Sequence, residues 1–187
     1  MLAPLSFNPD AAARDRILDT AQRLFYACGI RATGIDKVIA EAQVTKVTFY
    51  RHFPAKNQLI LAFLAQRHLR WMKGFSAMLD QYPDIESGLP AALQSWFSEQ
   101  DYRGCAFINV RAELGDAFPE ATQLIRQHKQ AMAEAIAQNM PQQLRNRTGQ
   151  IMLLAEGAIV RVQTGEDSSD VISDLRAALR AILRTEA

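Results

Sequence analysis

Between Thr45 and His52 the chain sets Thr45, Lys46, Thr48, Tyr50, Arg51 and His52 within a single short stretch. Hydroxyls and bases with one aromatic tip are the groups that reach phosphate oxygens and base edges in a duplex groove. The apolar members of the same stretch, Val44, Val47, Phe49 and Phe53, are the candidates to anchor it on a core. The charge around it is one-sided. From Ala42 to Leu79 there is no Asp or Glu, against six Lys or Arg. Residues 1–79 hold eleven bases and five acids, a formal +6, whereas residues 80–187 hold ten bases and fifteen acids, a formal −5. A basic front and an acidic remainder suit a front that meets a polyanion. Any helical hairpin with a solvated polar face gives the same pattern, and charge alone does not separate the two readings.

Positioning that face requires short, well-punctuated helices. Ile17, Ala21, Leu24, Phe25 and Cys28 follow the spacing of one buried helical stripe, and Gly29 stands where a helix-ending glycine would. Thr33 reads as the N-cap of a short helix with Ile35, Val38, Ile39 and Ala42 inward, and Thr45 as the N-cap of the next. Pro54 ends that helix, because the residue before proline resists the helical region. A long helix is expected from about Lys56 to Asp80. Further helices are expected near Leu89–Glu99, Cys105–Ala117, Glu120–Asn139, Thr148–Thr164 and Ser169–Arg184. The expected fold is all-α, with a three-helix helix-turn-helix domain at residues 1–55 and a helical domain at residues 56–187.

Other chemistries lack their residues. The three histidines, His52, His68 and His128, form neither an H-E-x-x-H pair nor a Glu-x-x-His pair, so no metal site is expected. No glycine-rich phosphate loop follows a strand, and no serine elbow is present, which argues against an enzyme and against a bound cofactor. The longest apolar run, Leu59–Ala65, is far below the roughly 20 residues of a membrane span, so no membrane partner is expected. The first ten residues carry neither a basic nor an apolar leader segment, and two cysteines in 187 residues argue for a reducing cytoplasm rather than a disulfide framework.

The run from Gly29 to Ile60, GIRATGIDKVIAEAQVTKVTFYRHFPAKNQLI, resembles the DNA-binding domain of the TetR family of transcriptional regulators. The match rests on an Ala-x-x-Leu-Phe helix ending in Gly, a Thr-led helix, then Val-Thr-Lys-x-Thr-Phe-Tyr-x-His-Phe and a following Lys. The resemblance implies that Thr45, Lys46, Val47 and Thr48 form the reading turn, with Thr33, Tyr50, His52 and Lys56 on phosphates. It implies double-stranded DNA with a palindromic operator as partner, a homodimer, and repression relieved by a small-molecule effector. Two positions depart from the pattern. Gln43 stands where Gly is usual in the turn, and Val47 where a small residue is usual.

Two apolar stripes, Ile151–Leu154–Ala155–Ala158–Ile159–Val162 and Ile172–Leu175–Ala178–Leu179–Ile182–Leu183, suit either the chain's own core or an interface. The resemblance favours a four-helix dimer contact. It also implies an effector pocket among central helices, for which Trp71, Phe75, Trp96 and Phe107 are candidates. Arg103-Gly104-Cys105-Ala106-Phe107-Ile108-Asn109 resembles a Gly-Cys-x-Phe-x-Asn element of a TetR subgroup. There Cys105, at a helix start near Arg103, is either a candidate electrophile sensor or a small buried residue that suits tight packing, whereas Cys28 is expected to be structural. The alternatives are a DNA-binding regulator without an effector and a small helical enzyme.

Overall fold

The computed structural model describes residues 12–184; residues 1–10, read above as carrying no leader, lie outside the described residues. Among the described residues the chain forms nine α-helices and two 3-10 turns, with no strand. The helices are α1 (Ala13–Cys28), α2 (Ile35–Glu41), α3 (Lys46–His52), α4 (Lys56–Leu79), α5 (Ile85–Phe97), α6 (Ala106–Leu114), α7 (Pro119–Gln138), α8 (Thr148–Gln163) and α9 (Ser168–Arg184). No helix among them is long and apolar enough to cross a membrane. They divide into two compact units. The first runs to Leu69 and takes in Cys105–Gln127; the second holds Arg70–Gly104 and the chain from His128 onward.

In the first unit α1 presents Ile17, Leu18, Ala21, Leu24 and Phe25 inward, all at most 5% exposed. Phe25 meets Phe63 of α4 edge-on at 5.5 Å. On this wall rest Val38 and Ala42 from α2 and its end, and Phe49 and Phe53 from α3 and its end, all buried. Cys28, the last member of the expected stripe, is exposed instead. The helix stops there because Gly29 takes φ +86°, which turns the chain away.

In the second unit α5, α8 and α9 pack on one another. Leu89 and Leu93 of α5, Ile151, Ala155, Ala158 and Ile159 of α8, and Ile172, Leu175 and Leu179 of α9 are buried within the single chain. Those members of the two stripes are therefore intramolecular core. α5 begins earlier than expected, because the Asp84 carboxylate accepts from the Ser87 amide at 2.8 Å and caps it. Pro90 sits inside the helix. α6 ends earlier than expected, at Leu114, where Gly115 takes φ +58° and a 3-10 turn follows. At the start of α9 the Asp167 carboxylate accepts from the hydroxyl and amide of Ser169 and from the Asp170 amide, which pulls it below the ordinary carboxylate range.

Candidate nucleic-acid interface

The turn from α2 to α3 is built by one residue in the left-handed region. Gln43 has φ +52°; its amide donates to the Ala40 carbonyl at 3.2 Å and the Val44 amide donates to Ile39 at 3.3 Å. This pair of bonds closes a helix over a left-handed residue, the position that normally belongs to glycine. The left-handed region costs an L-residue about 1–2 kcal/mol, and glycine returns roughly 0.5–1 kcal/mol of that as unfolded-state entropy. Gln43→Gly should therefore raise the midpoint of thermal unfolding by about 1–2 °C. A lower midpoint in a circular-dichroism melt would contradict this account of the turn.

α3 then starts on a side-chain cap. The Thr45 hydroxyl accepts from the Thr48 amide at 3.1 Å and lies 2.9 Å from the Thr48 hydroxyl. The helix is held from below by Phe49, 0% exposed, whose ring meets Tyr50 at 5.3 Å and Phe53 at 6.2 Å. With that side anchored, Lys46, Val47, Tyr50 and Arg51 all fall on the solvent side. Val47 is 70% exposed, so most of its side chain is open to a partner. Lys46 stands 3.9 Å from Asp36, with both side chains well exposed, a pair worth little in water. His52 is half-buried at the end of the helix.

The comparisons with known proteins fall on the same elements. A family profile described as bacterial regulatory proteins of the tetR family matches residues 17–63. The crystal structure of SCO4454, a TetR-family transcriptional regulator from Streptomyces coelicolor, is 30% identical; the match covers 92% of this chain and 88% of that one, with a TM-score of 0.82. The chain belongs to the TetR family of transcriptional regulators. A TetR-family regulator from Cytophaga hutchinsonii, 15% identical with a TM-score of 0.76 over 92% of this chain and 96% of that one, shares the fold. The HTH-type transcriptional activator FasR of Mycolicibacterium smegmatis is 33% identical over 103 residues, 54% of this chain and 47% of that protein. The chain thus matches about half the length of this curated relative.

TetR regulators are DNA-binding proteins and not enzymes. Within this TetR chain two expected phosphate contacts are turned inward. Thr33 is not the N-cap of α2; Gly34 holds that place, with no side-chain cap. The Thr33 side chain is 0% exposed, and its hydroxyl donates to the Gly29 carbonyl at 2.7 Å and to Leu24 at 3.4 Å, closing the end of α1. A threonine that bonds back to the preceding helix looks the same in sequence as one that caps the next. The half-buried Lys56 donates its Nζ to the Ile30 carbonyl at 2.6 Å. Burial pushes this ammonium below its ordinary range, and the Glu113 carboxylate pulls it back up.

The candidate effector residues fall into two groups. Trp71, Phe75 and Trp96 come together in the second unit, with Trp71 stacked on Phe75 at 4.6 Å and edge-on to Trp96 at 5.4 Å. The space left beside these rings is about 20 Å³, room for a single water. Phe107 lies in the first unit and walls a larger cavity of about 210 Å³ with Leu64, Leu69 and Leu124; His68 and Gln127 are its polar members. His68 and Gln127 carry no local sequence signal, since helical periodicity marks a face and not a void.

The structure buries Cys105 and exposes Cys28. Cys105, at the N-cap position of α6, is 3% exposed, and the adjacent Arg103 donates to its neighbour's carbonyl, Tyr102 O, at 2.8 Å. Cys28 is the exposed thiol. The helix-start argument for Cys105 addressed charge and not access, and a buried sulfur cannot meet an electrophile without local opening. A thiol reagent should titrate one cysteine in the native protein, Cys28, and both in denaturant. Rapid native labelling of Cys105 in a Cys28→Ser variant would restore the sensor reading.

Proposed function

We propose that this chain is an effector-responsive transcriptional regulator that binds a palindromic operator as a homodimer, with residues 1–55 reading DNA and residues 56–187 serving effector binding and dimerisation. The observation that carries the reading is the exposed face of α3, in a stretch without acids, on a helix fixed by the Thr45 cap and the Phe49 anchor. Thr45, Lys46, Val47 and Thr48 meet base edges, and Tyr50 and His52 meet phosphates. Thr33 and Lys56 support the head from inside. A recognition helix enters the major groove by its N-terminal residues, which here is the Thr45–Thr48 turn.

The exposed apolar side chains of α8 supply the dimer contact in this reading. Leu153 is 75% exposed and Val160 46%. With the exposed Gly157 between them they stand one above another on a single face. The effector is a small molecule of mostly apolar surface, held in the cavity beside Phe107. Its volume of about 210 Å³ exceeds the roughly 150 Å³ that accommodates benzene in an engineered core. In this reading the Gly104-Cys105-x-Phe107-x-Asn109 element is that of the TetR subgroup it resembles. In support, Gly104 takes φ +77°, and a β-carbon there would collide with the Gln163 side chain.

Repression is the first reading of the output. Activation is the second, favoured by the name of FasR, an activator. The test is to select duplexes from a random library with the purified protein and to titrate the winners against salt. The logarithm of affinity should fall with that of salt by about 0.9 per phosphate contact. Val47→Ala and Thr48→Ala should change the selected sequence and leave the salt slope alone. A library that yields no preferred duplex would sink the reading. A reporter carrying the selected duplex then tells repression from activation.

A further inference from the structure

The loop from Gly29 to Gly34 is gripped by a residue far along the chain. The Glu113 carboxylate of α6 accepts from the Ile30 amide at 3.1 Å through Oε1 and from the Arg31 amide at 2.8 Å through Oε2. On the other side of the same peptide the Lys56 ammonium, at the start of α4, donates to the Ile30 carbonyl at 2.6 Å. The carboxylate comes close to Gly29, whose φ of +86° itself favours glycine. A β-carbon on Gly29 would stand 2.9 Å from Glu113 Oε1. An anion on the amides and a cation on the carbonyl are each the charge that the peptide dipole favours, and charge-assisted bonds are the strong ones.

This loop leads into α2, whose other ties are the buried Val38 and Ala42, the Arg23–Glu41 ion pair and Arg16 Nε on the Ala42 carbonyl at 3.4 Å. α2 is seven residues long, has no side-chain cap, and buries only Val38 of its own residues. So short a helix does not hold itself, and its direction follows its attachments. α3 leaves α2 after a four-residue turn, Ala42–Thr45, so an error in the loop passes to the reading helix.

We propose that Glu113 is a positioning residue for operator recognition: by holding the amides of Ile30 and Arg31 it sets the angle at which α2 and α3 present Thr45–Thr48 to the groove. The proposal rests on the DNA-reading function given above. It makes α6 part of the recognition apparatus, although α6 lies outside the helix-turn-helix. α6 also carries Phe107, which walls the cavity of the same unit, so the helix that a cavity ligand would press on is the helix that holds the loop.

The test compares wild type with Glu113→Gln on a duplex that wild type has selected and on a random duplex. An amide side chain keeps the shape but offers one acceptor oxygen where two are used. Loss of one charge-assisted bond should weaken the selected duplex about tenfold. Binding to the random duplex should be unchanged or slightly tighter, because a negative charge has been removed from a DNA-binding protein. Electrostatics alone predicts tighter binding to both duplexes, and that result would overturn the proposal. Equal loss on both duplexes would also overturn it, by showing general damage to the head. If Glu113→Gln does not fold, amide hydrogen exchange on wild type serves instead. The Ile30 and Arg31 amides should gain protection on the selected duplex and not on the random one; unchanged protection counts against the proposal. Failure of wild type to select any duplex is a different result, which removes the DNA-reading function and the proposal with it.

Discussion

Phe49→Ala should cost about 3–5 kcal/mol and abolish sequence-specific DNA binding. Phe49 is 0% exposed, packs against Phe53 at 6.2 Å, and is the only residue of α3 that is buried. Truncation leaves a cavity under a seven-residue helix that has no other hold of its own on the core. Part of the cost is the lost transfer of the ring from water, and part is the void, which a small domain closes only in part. Since a domain has about 5–15 kcal/mol to lose, the head will open locally well before the rest of the chain melts. Urea titration of the variant and wild type, with exchange rates of the α3 amides, measures both effects. A loss below about 1 kcal/mol would mean that α3 is held by something other than this ring.

Leu153→Asp should convert a dimer to a monomer and leave the fold of each chain almost unchanged. Leu153 is 75% exposed, so within the single chain its replacement removes little packing. A carboxylate placed at the centre of an apolar contact must be buried without a partner, and two meet across a two-fold axis. Two linked half-site contacts exceed one by about 10²–10⁴ in affinity. The variant should lose that factor on a duplex with two half-sites and almost nothing on a single half-site. Sedimentation velocity and fluorescence anisotropy with both duplexes give the answer. A Leu153→Asp protein that still sediments as a dimer places the interface elsewhere.

Features that depend on neighbours in sequence were legible, and features that depend on distant residues were not. The Thr45 cap and the helix end before Pro54 are local and follow from side chains within a few residues, whereas the left-handed turn at Gln43 was signalled only by the glycine usual there in the family. Thr33 misled because its hydroxyl can accept from the amides of the helix that follows or donate to the carbonyls of the helix before it, and only packing decides between them. Asp84 and Ser87 carried a cap signal that was missed, since Gly88 was taken as a break before the helix rather than a residue inside it. The candidate effector residues were chosen for size, and large rings fill space as readily as they line it; Trp71 and Trp96 do the former. Glu113 lies 83 residues from Ile30, beyond any periodic or capping rule, and no local pattern pointed to it. The choice between core and interface for the α8 stripe was not legible, because on α8 apolar residues occupy both faces and burial alone tells them apart.

The aromatic cluster of the second unit decides how the molecule can be watched. The chain has two tryptophans, Trp71 and Trp96, and both lie in that unit. They stand 5.4 Å apart, with the His128 ring 5.2 Å from Trp71. Excited at the red edge of its absorption, the protein therefore emits from that unit alone. The unit that carries α3 is dark there, with Tyr26 and Tyr50 as its only phenols. Melting followed by indole emission would record the second unit's transition and miss an earlier opening of the head. A discrepancy between indole emission and far-ultraviolet dichroism would be the optical signature that the two units unfold separately.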